Sequence, residues 1–119
     1  MGSAAQAMEL TLTGAQEVPA VQTAATARCD IVVDEDLSVT GFVETSGIEA
    51  TMAHVHVGAA GTNGPPIIML AKTTANRWSV PAGFKLSQEQ YAQYKAGGLY
   101  VNVHSAEHPG GEIRVQLAP

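Results

Sequence analysis

Residues Ala24–Thr45 read AATARCDIVVDEDLSVTGFVET, and this stretch decides the fold class. Ala24–Val33 ends in a β-branched run. Leu37–Thr45 alternates Leu37, Val39, Gly41 and Val43 with Ser38, Thr40, Phe42 and Glu44. Side chains two apart on a strand share a face, so that alternation predicts a half-buried strand. Asp34-Glu35-Asp36 between the runs is a short polar turn, and the whole stretch predicts a β-hairpin.

Outward from the hairpin the same signals recur. On its N-terminal side, Met8–Thr13 alternates as a strand, and Gly14–Thr23, with Gly14 and Pro19, reads as a loop. On its C-terminal side, Ser46–Glu49 is a loop and Thr51–Val57 is a strand carrying two histidines. Gly58–Pro66 is too rich in Gly, Pro and Asn for a regular element. Ile67–Leu70 and Arg77–Val80 are short strands, with Trp78 a core residue. Ser87 and Gln90 form a capping box that opens a helix of about 87–97, and Gly97-Gly98 stops it. Tyr91 and Tyr94 share its inner face. Leu99–His104 and Glu112–Leu117 are the last strands, split by a turn at Pro109-Gly110-Gly111. Short strands with frequent turn signals predict an all-β antiparallel sandwich or barrel with one short helix.

No linker or repeat divides the chain, and residues 8–119 read as one domain. Met1-Gly2-Ser3 resembles an expression remnant and Ala4–Ala7 the end of a cleaved signal peptide. That reading places the protein outside the cytoplasm, in a periplasmic or extracellular setting. Only 14% of the 119 residues are charged, against about a quarter in ordinary globular domains. The net charge is −5, and no cluster of Lys or Arg exists, which argues against nucleic acid and anionic membrane surfaces. An acidic surface favours approach of a cation. No apolar run reaches the roughly 20 residues of a membrane span. Cys29 is the single cysteine, so no internal disulfide forms. It reads as a small buried residue, with a soft metal ligand or an intermolecular bridge as alternatives.

All four histidines fall in two segments, Met52-Ala53-His54-Val55-His56-Val57 and Asn102-Val103-His104-Ser105-Ala106-Glu107-His108. On a strand His54 and His56 project from one face and Val55 and Val57 from the other. Met52 shares the histidine face, where its thioether would suit Cu(I). In the second segment Val101 and Val103 point inward and His104 points away. His108 follows in the turn, free to bend back. If the two strands are neighbours, three or four imidazoles converge on a metal ion. Copper leads, because imidazoles suit it, Met52 is at hand, and copper stands at the top of the affinity order; zinc is the alternative. Glu107 and Glu112 are candidates to orient the ring N–H groups. The plain alternative is that these are ordinary polar strand residues.

Three blocks resemble the CHRD (chordin-type) domain family. Thr13-Gly14-Ala15-Gln16-Glu17-Val18-Pro19-Ala20 resembles its GAQEVPP opening. Ala53-His54-Val55-His56-Val57-Gly58, followed by Gly61-Thr62-Asn63-Gly64-Pro65, resembles its central AHIHGPA block. Leu99–Ser105 and Pro109–Leu117 resemble its YVNVHT and PGGEIRGQL close. The similarity runs from about Leu10 to Leu117. It implies a Greek-key β-sandwich and an exported setting, with His54, His56 and His104 as shared positions. Many CHRD domains carry Asn before Pro-Gly-Gly where this chain has His108, so the resemblance does not extend to that imidazole. The His-x-His block is also loosely similar to Cu,Zn superoxide dismutase.

Three functions are consistent with these residues. The first is an exported copper-binding protein for storage, delivery or redox work, holding metal through His54, His56, His104 and His108, with Met52 as an additional ligand. The second is a non-enzymatic interaction or matrix module with structural histidines, its protein partner unnamed. The third is a copper-dependent, superoxide dismutase-like enzyme. No Gly-x-Ser-x-Gly elbow or phosphate loop supports a hydrolase. Two metals sharing four histidines and a site shared across a homodimer both stay open.

Overall fold

The hairpin forms as the alternation predicts. In the computed structural model, which describes residues 9–119, β2 (Thr26–Val33) and β3 (Val39–Ser46) pair antiparallel over their whole length, from Thr26 opposite Ser46 to Val33 opposite Val39. Ala27, Cys29, Ile31 and Val33 are buried while their neighbours are not. Leu37 belongs to the turn and not to the strand. Its backbone is left-handed (φ 76°), its N–H bonds the Asp34 carbonyl, and Asp36 accepts from both the N–H and the hydroxyl of Ser38.

β1 (Leu10–Leu12), β2, β3, β7 (Arg77–Ser79) and β6 (Ala71–Lys72) form a five-stranded sheet in the order β1-β2-β3-β7-β6. β5 (Pro66–Met69), β4 (Ala50–Val57), β8 (Leu99–Ser105) and β9 (Ile113–Gln116) form a four-stranded sheet in the order β5-β4-β8-β9. All pairs are antiparallel. The neighbours β3/β7 and β4/β8 are crossover pairs of the Greek-key kind, and the molecule is an all-β sandwich. β5 and β6 are separated by Leu70 alone yet lie in different sheets, so the chain changes sheet there. Sequence reading placed no strand at Ala71–Lys72; both residues are exposed and offer no hydrophobic pattern. The reading of residues 1–7 as a tag or signal remnant lies outside the described residues.

The inner faces of the two sheets close on one apolar core, with Cys29, Val43 and Trp78 from one side and Val55, Val101, Val103 and Ile113 from the other. Full burial of each such aliphatic side chain stabilises the fold by about 1.5–3 kcal/mol. Cys29 lies wholly inside this core, and burial pushes its thiol up to about 12. It is therefore a packing residue, inert as a nucleophile or ligand.

Helix α1 (Gln88–Lys95) is capped as expected. Ser87 Oγ accepts from the Gln90 N–H at 3.0 Å, and Gln90 Oε1 accepts from the Ser87 N–H at 2.9 Å. Tyr91 and Tyr94 are half-buried against the core. Replacement Ser87→Ala is expected to lower stability by about 1 kcal/mol, read as a shifted urea midpoint with an unchanged slope. No helix among the described residues is long and apolar enough to cross a membrane.

Candidate metal site

The outer face of the four-stranded sheet carries a buried polar lane. On β8 the inner residues Leu99, Val101 and Val103 alternate with Tyr100, Asn102 and His104, and every residue of the strand is buried. Two loops cover the outer set: the segment after β1, which brings Glu17, and the Gly58–Pro65 loop, which brings Asn63 and Gly64. The register sets His54 opposite Asn102, His56 opposite Tyr100 and Met52 opposite His104. On the far side Asn102 faces Arg114 of β9.

His54, His56 and His104 converge. One nitrogen from each falls within 4.8 Å of the others. His54 Nδ1 and His104 Nε2 are 3.1 Å apart. Two nitrogens each about 2.0–2.1 Å from one ion, at angles between a right angle and tetrahedral, are about 2.9–3.4 Å apart. That pair is joined by a hydrogen bond and stands at a spacing that an ion replacing the shared proton would also have.

The other nitrogen of His104 and both nitrogens of His56 face oxygen acceptors. His104 Nδ1 donates to the Pro109 carbonyl at 2.9 Å, which leaves its Nε2 as the lone-pair nitrogen. His56 Nδ1 donates to the Gly64 carbonyl at 2.9 Å. Its Nε2 lies 2.8 Å from Asn102 Oδ1, a second acceptor. A neutral imidazole has one N–H, so it satisfies only one of two acceptors. Double protonation would satisfy both, but burial holds the His56 basicity below its ordinary value against the raising effect of the bonds to Gly64 and Asn102, and the charges of His104 and Arg114 add to the lowering. A cation on Nε2 removes the conflict by another route: it takes the lone pair, and the Asn102 amide, only 2.8 Å away, turns aside to make room. The residues present therefore fit a metal ion: three imidazole nitrogens, two of them on rings oriented by backbone carbonyls at the opposite nitrogen.

His54 is the least buried of the three, its ring forming a triangle with His56 (5.5 Å) and His104 (4.8 Å), which are themselves 6.0 Å apart. Burial, then the neighbouring imidazoles, lower it to about 4. In metal-free protein the unfolded chain takes up this proton near 6.5 and the folded chain only near 4. Stability should therefore fall as pH drops from about 6.5 to about 4, and flatten below. His54→Gln should weaken this slope, measured by denaturant unfolding across that range.

Behind the histidines lies a stacked support that sequence reading missed. The His56 ring lies parallel to Tyr100, centroids 4.7 Å apart and planes within 1°. The Arg114 guanidinium sits 3.4 Å from the Tyr100 ring centroid. Because β4 and β9 flank β8 on opposite sides, Tyr100 is held between His56 and Arg114. Arg114 is 1% exposed; it donates to the Ala59 carbonyl at 3.2 Å and to Gln116 Oε1 at 3.3 Å. These bonds tie the covering loop to the sheet. Alternation with Ile113 and Val115 marks Arg114 as outward-facing, but nothing in sequence shows that outward is also buried there.

The turn glycines separate by role. A Cβ on Gly64 would lie 1.6 Å from the Val57 carbonyl oxygen, so only glycine fits where the chain brings the Gly64 carbonyl to His56. Gly111 has φ 124°, and a Cβ there would meet Asn102 Nδ2 at 2.4 Å and Glu17 Oε2 at 2.6 Å. Gly110 has neither constraint, so the special backbone angle expected of both glycines is needed at Gly111 alone. Glu17 is buried beneath this turn and takes a long 3.4 Å bond from Asn102 Nδ2. Burial raises its carboxyl above the ordinary range, opposed by that bond and by Arg114.

Not every expected residue joins the cluster. His108 lies in the turn after β8, its N–H bonded to Ser105, and its ring is not among the three that converge. Glu112 is not an orienting partner of the rings; it accepts from Ser105 Oγ and Thr23 Oγ1, both at 2.6 Å. Glu107 is exposed. Orientation of the imidazoles falls instead to backbone carbonyls, which no side-chain motif announces. Met52 is 47% exposed, two residues before His54 on the same face.

Comparison with curated proteins and with solved structures gave no match. The family model for the CHRD domain matches residues 8–117, which includes the three histidines, both covering loops and the stacked support behind them, and the chain belongs to the CHRD domain family.

Proposed function

We propose that this protein is an exported metal-binding protein that holds one transition-metal ion, copper foremost, through His54, His56 and His104, for storage or delivery. The observation that carries this reading is the 3.1 Å approach of His54 Nδ1 to His104 Nε2, with His56 beside them. Three imidazoles with almost no carboxylate competition suit copper or zinc, and copper binds more tightly at a given nitrogen site. The acidic net charge of −5 favours a cation as the ligand. The exported setting is supported by family membership and by the low charged content.

The test is to load metal-stripped protein with Cu(II), remove the excess, count copper per chain and record the EPR spectrum. One tightly held copper with nitrogen hyperfine structure is expected. If no copper survives gel filtration, and zinc is not retained either, the histidines are structural and the domain is an interaction module.

A further inference from the structure

Among the described residues, two large apolar side chains stand exposed: Met52 at 47% and Met69 at 58%. Both border the histidine cluster. Met52 pairs with His104 across β4 and β8, and Met69 pairs with His54 across β4 and β5. Directly paired residues share a sheet face with Cβ atoms about 4.5–5.5 Å apart. Ile68, next to Met69, is 1% exposed and pairs with Val55 on the inner face, which fixes Met69 on the outer, histidine face. The two imidazoles joined by a hydrogen bond are therefore each matched by a methionine on the adjoining strand.

Exposure of two methionines at one spot runs against ordinary surface composition, since apolar side chains gain by burial. A thioether on a side chain with three rotatable bonds can swing several ångströms without moving the backbone. Thioether sulfur is a soft donor that favours Cu(I) and contributes little to a harder divalent ion. His54, beside both methionines, is the least buried of the three rings, so the methionines stand on the more open side of the cluster.

We infer that Met52 and Met69 form a thioether rim over His54 and His104, and that the site takes copper as Cu(I) with sulfur completing the coordination. This inference rests on the histidine site of the preceding section and names the oxidation state and the further ligands. Met69 has no cue in the sequence, because the pairing of β4 with β5 is what brings it there.

The experiment compares the full chain with a Met52→Leu/Met69→Leu variant, a nearly isosteric change at exposed positions. Both are loaded anaerobically with Cu(I) and titrated against a chromophoric Cu(I) chelator. Cu(II) binding is measured in parallel, and X-ray absorption is recorded on the Cu(I) forms. Loss of at least about tenfold in Cu(I) affinity is expected in the variant, with Cu(II) affinity unchanged. A copper–sulfur shell near about 2.3 Å should be present in the parent and absent in the variant. Cu(I) bound equally by both proteins, with nitrogen neighbours alone, overturns the thioether rim and leaves the histidine site standing. A parent chain that binds neither Cu(I) nor Cu(II) overturns both.

Discussion

A chain carrying His104→Ala should lose copper affinity by at least about 100-fold, roughly 2.7 kcal/mol. Removing partners that merely orient a ligand typically costs about 10–100-fold, so loss of the ligand itself should reach or exceed that range. His54→Ala should do the same with less structural damage, because His54 is partly exposed and bonds the neighbouring His104 ring. His108→Ala should retain the metal, since the His108 ring lies outside the converging set. Competition titration with a chelator of known affinity separates these outcomes. Equal losses in the His104 and His108 variants would mean that the turn rearranges to make a four-histidine site.

The second large effect concerns stability. Arg114→Ala removes a fully buried guanidinium that stacks on Tyr100 and donates to Ala59 and Gln116. The Ala59 carbonyl and the half-buried Gln116 amide oxygen lose these donors, and the buried face of Tyr100 loses the cation stacked on it. Breaking such a buried charged network costs about 3 kcal/mol or more. For a domain of this size, the melting temperature should fall by more than about 10 °C. Arg114→Lys should recover little, because a point ammonium cannot stack on Tyr100 while bonding several acceptors in one plane. The loop held by Arg114 also carries Gly64, the acceptor of His56 Nδ1, so metal affinity should weaken in the surviving folded protein. Thermal melts of the metal-free variants give the first quantity and copper titration the second.

How far the sequence foretold the molecule follows from what each face of a strand does. The hairpin of β2 and β3 was legible because Val39, Gly41 and Val43 recur at every second position and the Asp34-Glu35-Asp36 turn separates two strand-like runs. Helix α1 was legible because Ser87 and Gln90 state their capping chemistry locally. His54 and His56 were placed on one face by the period of two, and His104 on the outward face of its own strand. That the two strands are neighbours was not legible, for β4 and β8 are 41 residues apart in the chain and pairing across a crossover leaves no local trace. The family resemblance pointed the same way through its motifs.

Burial of the outer face was the larger surprise. Alternation on β8 marks Tyr100, Asn102 and His104 as outward, and outward ordinarily means wet. Here the two loops form a lid over a buried polar layer in which Asn102 bonds Glu17 while Arg114 bonds Ala59 of the covering loop and Gln116. The carbonyls of Gly64 and Pro109 that orient the rings are invisible to any reading of side chains. The glycines were the available hint: Gly64 and Gly111 tolerate no Cβ, and each lies where backbone closes on the site. A motif glycine beside a histidine strand can thus be read as a place where backbone approaches a functional ring.

The most direct test is a crystal structure of the copper-loaded protein, with anomalous data collected on both sides of the copper edge. The account predicts one anomalous peak about 2.0–2.1 Å from Nε2 of His56, Nε2 of His104 and a nitrogen of His54, with the Gly64 and Pro109 carbonyls still bonded to the opposite ring nitrogens. A copper ion found instead at His108 or at surface carboxylates, with His56 still bonded to Asn102, would contradict it.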